Sequence, residues 1–98
     1  MRIVAKSTLK EFWKIYPDAE KPLRVWFEKI KSGDWENPYE IKQMYGDADN
    51  IGNGRIVFNI GGNKYRLIVL FLYEIKICYI RFIGTHKEYD KITDISNI

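Results

Sequence analysis

Residues 55–83 read RIVFNIGGNKYRLIVLFLYEIKICYIRFI, and the fold turns on this stretch. Three runs rich in Ile, Val, Leu, Phe and Tyr, at Arg55–Ile60, Lys64–Tyr73 and Ile77–Ile83, are separated by Gly61-Gly62-Asn63 and by Glu74-Ile75-Lys76. Branched and aromatic side chains at that density read as strands, and gaps this short make them an antiparallel meander. Gly-Gly-Asn tolerates positive φ and closes a hairpin, whereas the second turn lacks glycine and leaves its register open. The middle run is apolar on both faces over its later half, so it is predicted to be the central strand.

Upstream, residues 1–5 read as a short strand. Ser7 and Thr8 are candidate helix caps, with Glu11 three residues after Thr8 completing a capping-box pattern. Leu9, Phe12, Trp13 and Tyr16 form one apolar stripe at helical spacing, and Pro17 stops it. Asp18 is a candidate cap for a second helix with Pro22 in its first turn, whose stripe is Leu23, Trp26, Phe27 and Ile30 before Gly33. The two predicted helices form a hairpin. Gly33 to Gly54 is rich in turn formers and reads as an ordered connection, with one helical turn at Tyr39–Tyr45 after Pro38. Thr85-His86-Lys87-Glu88 is a further capping box opening a short terminal helix. The expectation is one α+β domain over residues 1–98, an N-terminal helical hairpin packed on a small antiparallel β-sheet.

With 98 residues, 46% of them hydrophobic, the chain can bury one core and no large enclosed cavity, so a site must be a surface groove. Leu67 to Leu72 is the longest mostly apolar stretch, far short of the ~20 residues of a membrane span. The N-terminus is too short for a signal h-region, so a cytoplasmic location without membrane association is expected. The single Cys78 has no disulfide partner. Net charge is +3, and its distribution says more than its size. Residues 1–50 balance nine basic against nine acidic side chains, while residues 51–98 hold seven basic and four acidic. A polyanion is the natural guest of the second half.

One His and one Cys give no metal-ligand spacing, and the glycines match neither a P-loop nor a dinucleotide fingerprint, so no metal and no cofactor are expected. What remains is a set of polar and cationic groups around one sheet end: Asn59, Asn63, Lys64, Arg66, Arg81, His86, Lys87, Tyr89 and Lys91. Lys64 and Arg66 share a strand face. If the second turn is a tight loop at Glu74-Ile75, Arg81 falls diagonally beside Arg66, and a one-residue slip turns it away. RNA is cleaved without metal when its 2′-hydroxyl attacks the adjacent phosphate, given a base, an acid for the leaving 5′-oxygen and cations for the charge that builds. Arg66 and Lys64 suit the phosphate, and His86 or Tyr89 the proton. The plainer reading makes the Arg and Lys side chains a solvated surface, and His86 only the first residue after a cap.

The stretches Val57-Phe58-Asn59-Ile60-Gly61-Gly62-Asn63-Lys64-Tyr65-Arg66-Leu67, Tyr79-Ile80-Arg81-Phe82 and Thr85-His86-Lys87-Glu88-Tyr89-Asp90 closely resemble the HigB-type toxins of bacterial toxin–antitoxin pairs. Leu9-Lys10-Glu11-Phe12-Trp13 and Trp35-Glu36-Asn37-Pro38-Tyr39-Glu40-Ile41-Lys42 extend the resemblance upstream, and with the last stretch continuing through Lys91-Ile92 it covers residues 3 to about 93. It implies a RelE-like fold and an mRNA endonuclease, commonly acting on mRNA in the ribosome and neutralised by a helix-turn-helix, HigA-like antitoxin. Carried over by position, Asn63, Lys64 and Arg66 and then His86, Lys87 and Tyr89 are the implied site. Which residue is acid and which base stays open. The alternatives are a basic RNA-binding module without chemistry, which would expose aromatics for stacking, and a pure interaction protein, which would expose a large apolar patch.

Overall fold

Tyr65, Leu67, Val69 and Phe71 are buried on one side of the strand Tyr65–Leu72, and Ile68 is buried on the other, in a computed structural model that describes residues 1–98. A strand needing cover on both faces belongs in the middle of its sheet. The elements in chain order are β1 (Arg2–Val4), α1 (Lys6–Ile15), a 3-10 turn (Pro17–Ala19), α2 (Glu20–Ser32), α3 (Pro38–Met44), β2 (Asp49–Gly52), β3 (Arg55–Ile60), β4 (Tyr65–Leu72), β5 (Ile77–Thr85) and α4 (His86–Asp90). The sheet order is β1-β5-β4-β3-β2, with β4 central.

The α+β architecture stands, but the sheet is larger than the expected meander and is mixed. β1 adds to β5 in parallel, and β2 adds to the other edge from within the segment read as connection. β2 contains Asn50 and Gly52 and has no buried residue, so nothing in its sequence marks it as a strand; backbone pairing with β3 holds it. The helical turn expected after Pro38 is α3, capped by the Asn37 side chain accepting from the Glu40 backbone N–H at 3.0 Å. Two other expected caps are corrected. α1 starts at Lys6 with Ala5 before it, so Ser7 and Thr8 sit inside its first turn and the Thr8 N–H donates to the Ala5 carbonyl. Asp18 caps nothing either, because its residue lies in the 3-10 turn.

Leu9, Phe12 and Trp13 from α1 and Leu23, Trp26, Phe27 and Ile30 from α2 join Phe58, Leu67, Val69 and Phe71 in one core of 19 buried residues. Val57 and Ile68 are also buried, lie opposite each other across β3 and β4, and fall outside that core. They mark the second sheet face, which carries α4. Chain following α4 docks onto the β2–β3 turn, where Asn53 donates to the Ser96 carbonyl and Arg55 donates twice to the Ile98 carbonyl, at 3.1 and 2.7 Å.

Asp18 instead ties the helical layer to the β3–β4 hairpin. Its carboxylate accepts from Lys64 Nζ at 2.9 Å and from the Tyr65 hydroxyl. The bond from Tyr65, then that from Lys64, holds the Asp18 carboxyl below its ordinary value, and the same contact pushes Tyr65 up to about 12. A depressed folded-state pKa adds stability above the unfolded value of about 4, and that stability disappears as pH falls through the folded one. Asp18→Asn should therefore melt below the parent at neutral pH, and thermal melts should converge as pH drops through the acid range. Beside the same turn, opposite Tyr65, Thr85 Oγ1 accepts from the Glu88 N–H and Glu88 Oε1 accepts from the Thr85 N–H, a complete capping box. Thr85→Ala should cost about 0.5–2 kcal/mol in denaturant unfolding.

Candidate functional site

Asn59, Arg66 and Gly84 lie in one row across β3, β4 and β5. By strand alternation this row faces away from α1 and α2. The β4–β5 pairing keeps the register of the expected tight turn from Leu72↔Ile77 up to Val69↔Ile80, then shifts by one so that Phe82 opposes Ile68. The extra residue of that bulge is Arg81, which is exposed and has no partner across the ladder. Its expected place diagonal to Arg66 is thus corrected, and Gly84 sits opposite Arg66 instead. Gly84 is buried, and a Cβ there would come within 2.5 Å of the Phe82 ring and 3.1 Å of Glu88 Oε1. Glycine lets the ring and the capping box close over the strand.

α4 reaches Arg66 through Tyr89. The Arg66 guanidinium carbon is 5.9 Å from the Tyr89 ring centre, and Tyr89 also leans on Phe82 at 6.4 Å. Arg66 Nη1 donates to the Asn63 carbonyl at 3.3 Å, and no carboxylate pairs with it. The guanidinium is held by neutral groups and keeps donors free for an anion. Burial raises the pKa of the Tyr89 hydroxyl, Asp49 adds to the rise and Arg66 opposes it, so the group stays protonated. The His86 backbone N–H donates to the Lys64 carbonyl at 3.2 Å, which fastens the start of α4 to the hairpin turn. The imidazole is exposed, with Nε2 3.7 Å from Asp90.

The structure therefore gathers Arg66, Tyr89, Asn63 and Asn59, and sets His86 at the same sheet end. Asn59 donates to Asp47 Oδ2 at 3.2 Å. Lys87 and Lys91 are exposed and unpaired on or beside α4. Lys64 is corrected: it lies in the turn and its ammonium goes to Asp18, so it does not share Arg66's face. Sequence reasoning missed Asp18 as the anchor of Lys64 and Tyr65, and missed Asp47 and Asp49 beside Asn59 and Tyr89. Asp18 and Lys64 are 46 residues apart, and no local pattern links them.

No three His, Cys, Asp or Glu side chains come together, Cys78 is buried with its thiol pushed up to about 12, and no helix is long and apolar enough to cross a membrane. The site is a cation, a protonated phenol and an open imidazole at the end of a sheet. The mRNA interferase toxin HigB of Escherichia coli (strain K12) is 32% identical over 97 residues, covering 97% of this chain and 93% of that protein. The mRNA interferase HigB of Shigella flexneri matches with the same figures, and that of Escherichia coli O6:H1 is 30% identical over 95 residues, 95% of this chain and 92% of that protein. The HigB toxin family profile matches residues 19–92, and the chain belongs to that family, the RelE-like toxic component of a toxin–antitoxin system.

Proposed function

We propose that this chain is an mRNA endonuclease in which the RNA's own 2′-hydroxyl attacks the adjacent phosphorus and expels the 5′-oxygen. The observation that carries the reading is Arg66: a rigid central-strand guanidinium without a carboxylate partner, packed against a phenol that stays protonated. Arg66 supplies fixed donors to the phosphate oxygens as charge builds, a fork that lysine cannot reproduce. Tyr89, being protonated, acts as a donor and not as the base. His86, open to solvent at the start of α4, delivers a proton to the leaving 5′-oxygen, while the proton released by the attacking 2′-hydroxyl passes to solvent water. Asn59 and Asn63 hold the strand beside Arg66, and Lys87 and Lys91 extend the cationic surface along α4. Lys64 acts through Asp18 as a brace for the turn. Arg81, on its bulge, is left for a more distant phosphate.

The same reading places cleavage on translated mRNA at the ribosome, in the cytoplasm, with a helix-turn-helix antitoxin as the neutralising partner. The family's name requires a restraint on the toxin, and a cationic groove open to solvent is a surface such a partner can cover or keep from the ribosome.

Arg66→Ala should reduce cleavage by about 10²–10³, Arg66→Lys should recover little of it, and His86→Gln should lose about 10²–10⁴. All three should keep the parent's melting temperature and antitoxin affinity. New mRNA 5′ ends mapped after induction in a bacterial host should cluster within translated frames for the parent and vanish for these variants. If His86→Gln cleaves like the parent, the proton role passes to Tyr89, and Tyr89→Phe then becomes the decisive variant. Cleavage should also survive excess chelator once ribosome integrity is held by a separate magnesium control. Loss of cleavage that a divalent ion restores would overturn the metal-independent chemistry.

A further inference from the structure

A surface cavity of about 270 Å³ opens between α3 and the edge strand β2. Pro38, Tyr39 and Lys42 from α3 line it above an apolar floor of Ile41, Ala48 and Ile56, all three buried. Tyr39 is 69% exposed and takes no part in the core, so its ring is free to receive another flat ring. The hydrogen-bond donors around the hollow are open to solvent as well. Lys42 is exposed, has no carboxylate partner and spends one of its three N–H groups on the Ala48 carbonyl at 2.7 Å. Asn50 is exposed and lies opposite Ile56, which puts its side chain on the α3 side of β2. Its Oδ1 accepts from the Gly52 N–H at 3.1 Å, which leaves the amide N–H groups for a ligand.

The carboxylate of Asp49, the one acidic residue of the lining, disfavours a phosphate in the hollow. The guest that suits it is an uncharged flat ring, with a face for Tyr39 and acceptors on its edge for Lys42 and Asn50. A nucleobase has both, and single-stranded RNA is held in this way, by bases splayed onto aromatic side chains and hydrogen-bonded on their edges. The hollow also lies within reach of the cleavage site. Asp47 accepts from Asn59, which stands directly opposite Arg66, and the next residue is Ala48 on the floor of the hollow. β2 is two strands from β4, roughly 10 Å at the usual spacing, and no strand lies beyond it. An extended single strand held at Arg66 covers that distance in a few nucleotides and can pass round the open edge.

We propose that this hollow is a second contact for the RNA, in which Tyr39 stacks the base of a nucleotide a few positions from the cleaved phosphate while Lys42 and Asn50 hydrogen-bond its edge. The inference rests on the reading of the chain as an RNA endonuclease, and its test separates the two. The whole chain, labelled with nitrogen-15, is titrated with a single-stranded hexanucleotide whose 2′-hydroxyls are methylated to prevent cleavage, and with a dinucleotide too short to reach from Arg66 to α3. Tyr39→Ala should weaken hexanucleotide binding roughly 5–150-fold, the loss of one stacked base, and leave dinucleotide binding as it is in the parent. Tyr39→Trp, which keeps a flat ring, should restore it, and both variants should melt with the parent because the side chain is exposed. Hexanucleotides with one base removed at each position in turn should locate the stacked base: a single position should matter to the parent and cease to matter in Tyr39→Ala. Arg66→Ala should weaken both ligands. A Tyr39→Ala chain that binds the hexanucleotide like the parent overturns the base site, and a loss of antitoxin affinity in its place would assign the hollow to the protein partner. If binding depends on Tyr39 while Arg66→Ala still cleaves translated mRNA, the catalytic reading fails and the base site stands.

Discussion

The need to bury β4 on both faces organises the molecule. Its core side carries Tyr65, Leu67, Val69 and Phe71 against α1 and α2, and its other side carries Ile68 against Val57. Only a central position with strands on each side supplies that cover, and the position makes Arg66 a residue of the stiffest element. A guanidinium on a rigid stem loses little orientational freedom when it grips a phosphate, so under the proposed function the demands of packing and of chemistry fall on one strand. The hairpin that precedes β4 is pinned from both sides, by the Asp18 carboxylate toward the helices and by the Lys64 carbonyl toward α4.

The bulge at Arg81 settles what stands beside Arg66. Below it β5 is held between β4 and the parallel strand β1, whose pairing stops at Tyr79. Beyond that point β5 has a neighbour on one side only, and the extra residue returns Ile83 to the main core and places Gly84 in the row with Asn59 and Arg66. Without the insertion a side chain would occupy the space that the Phe82 ring and the Glu88 carboxylate now fill. The capping box, the seat of Tyr89 and the open space above Arg66 follow from one added residue.

The sequence was most readable where a pattern is local. The two helical stripes, the Gly-Gly-Asn turn, the Thr85 capping box and the double-sided burial of the middle strand all come from neighbours within a few positions, and the structure has each of them. It was least readable where the cause lies far along the chain. β2 has no buried side chain to announce it, and Asp18 resembles a helix cap until Lys64 and Tyr65 arrive from the sheet. Lys64 was grouped with Arg66 by alternation, but alternation ends where the strand does, and Lys64 is one residue outside it. At the site, the sequence places Arg66 and Tyr89 only in one group around a sheet end, and their contact comes from the way α4 folds back over β4.

The ion pairs give the positive second half of the chain a different meaning. Of its seven cations, Lys64 is neutralised by Asp18, Lys76 by Asp34 and Glu36, and Arg55 is occupied with the Ile98 carbonyl. Four remain without a carboxylate partner: Arg66, Arg81, Lys87 and Lys91. Each phosphate neutralised on a single strand contributes only about 0.7 to the logarithmic salt slope, so few counterions are released when RNA binds. The electrostatic share that this half of the chain can add to RNA binding is therefore small, and it weakens only gently as ionic strength rises.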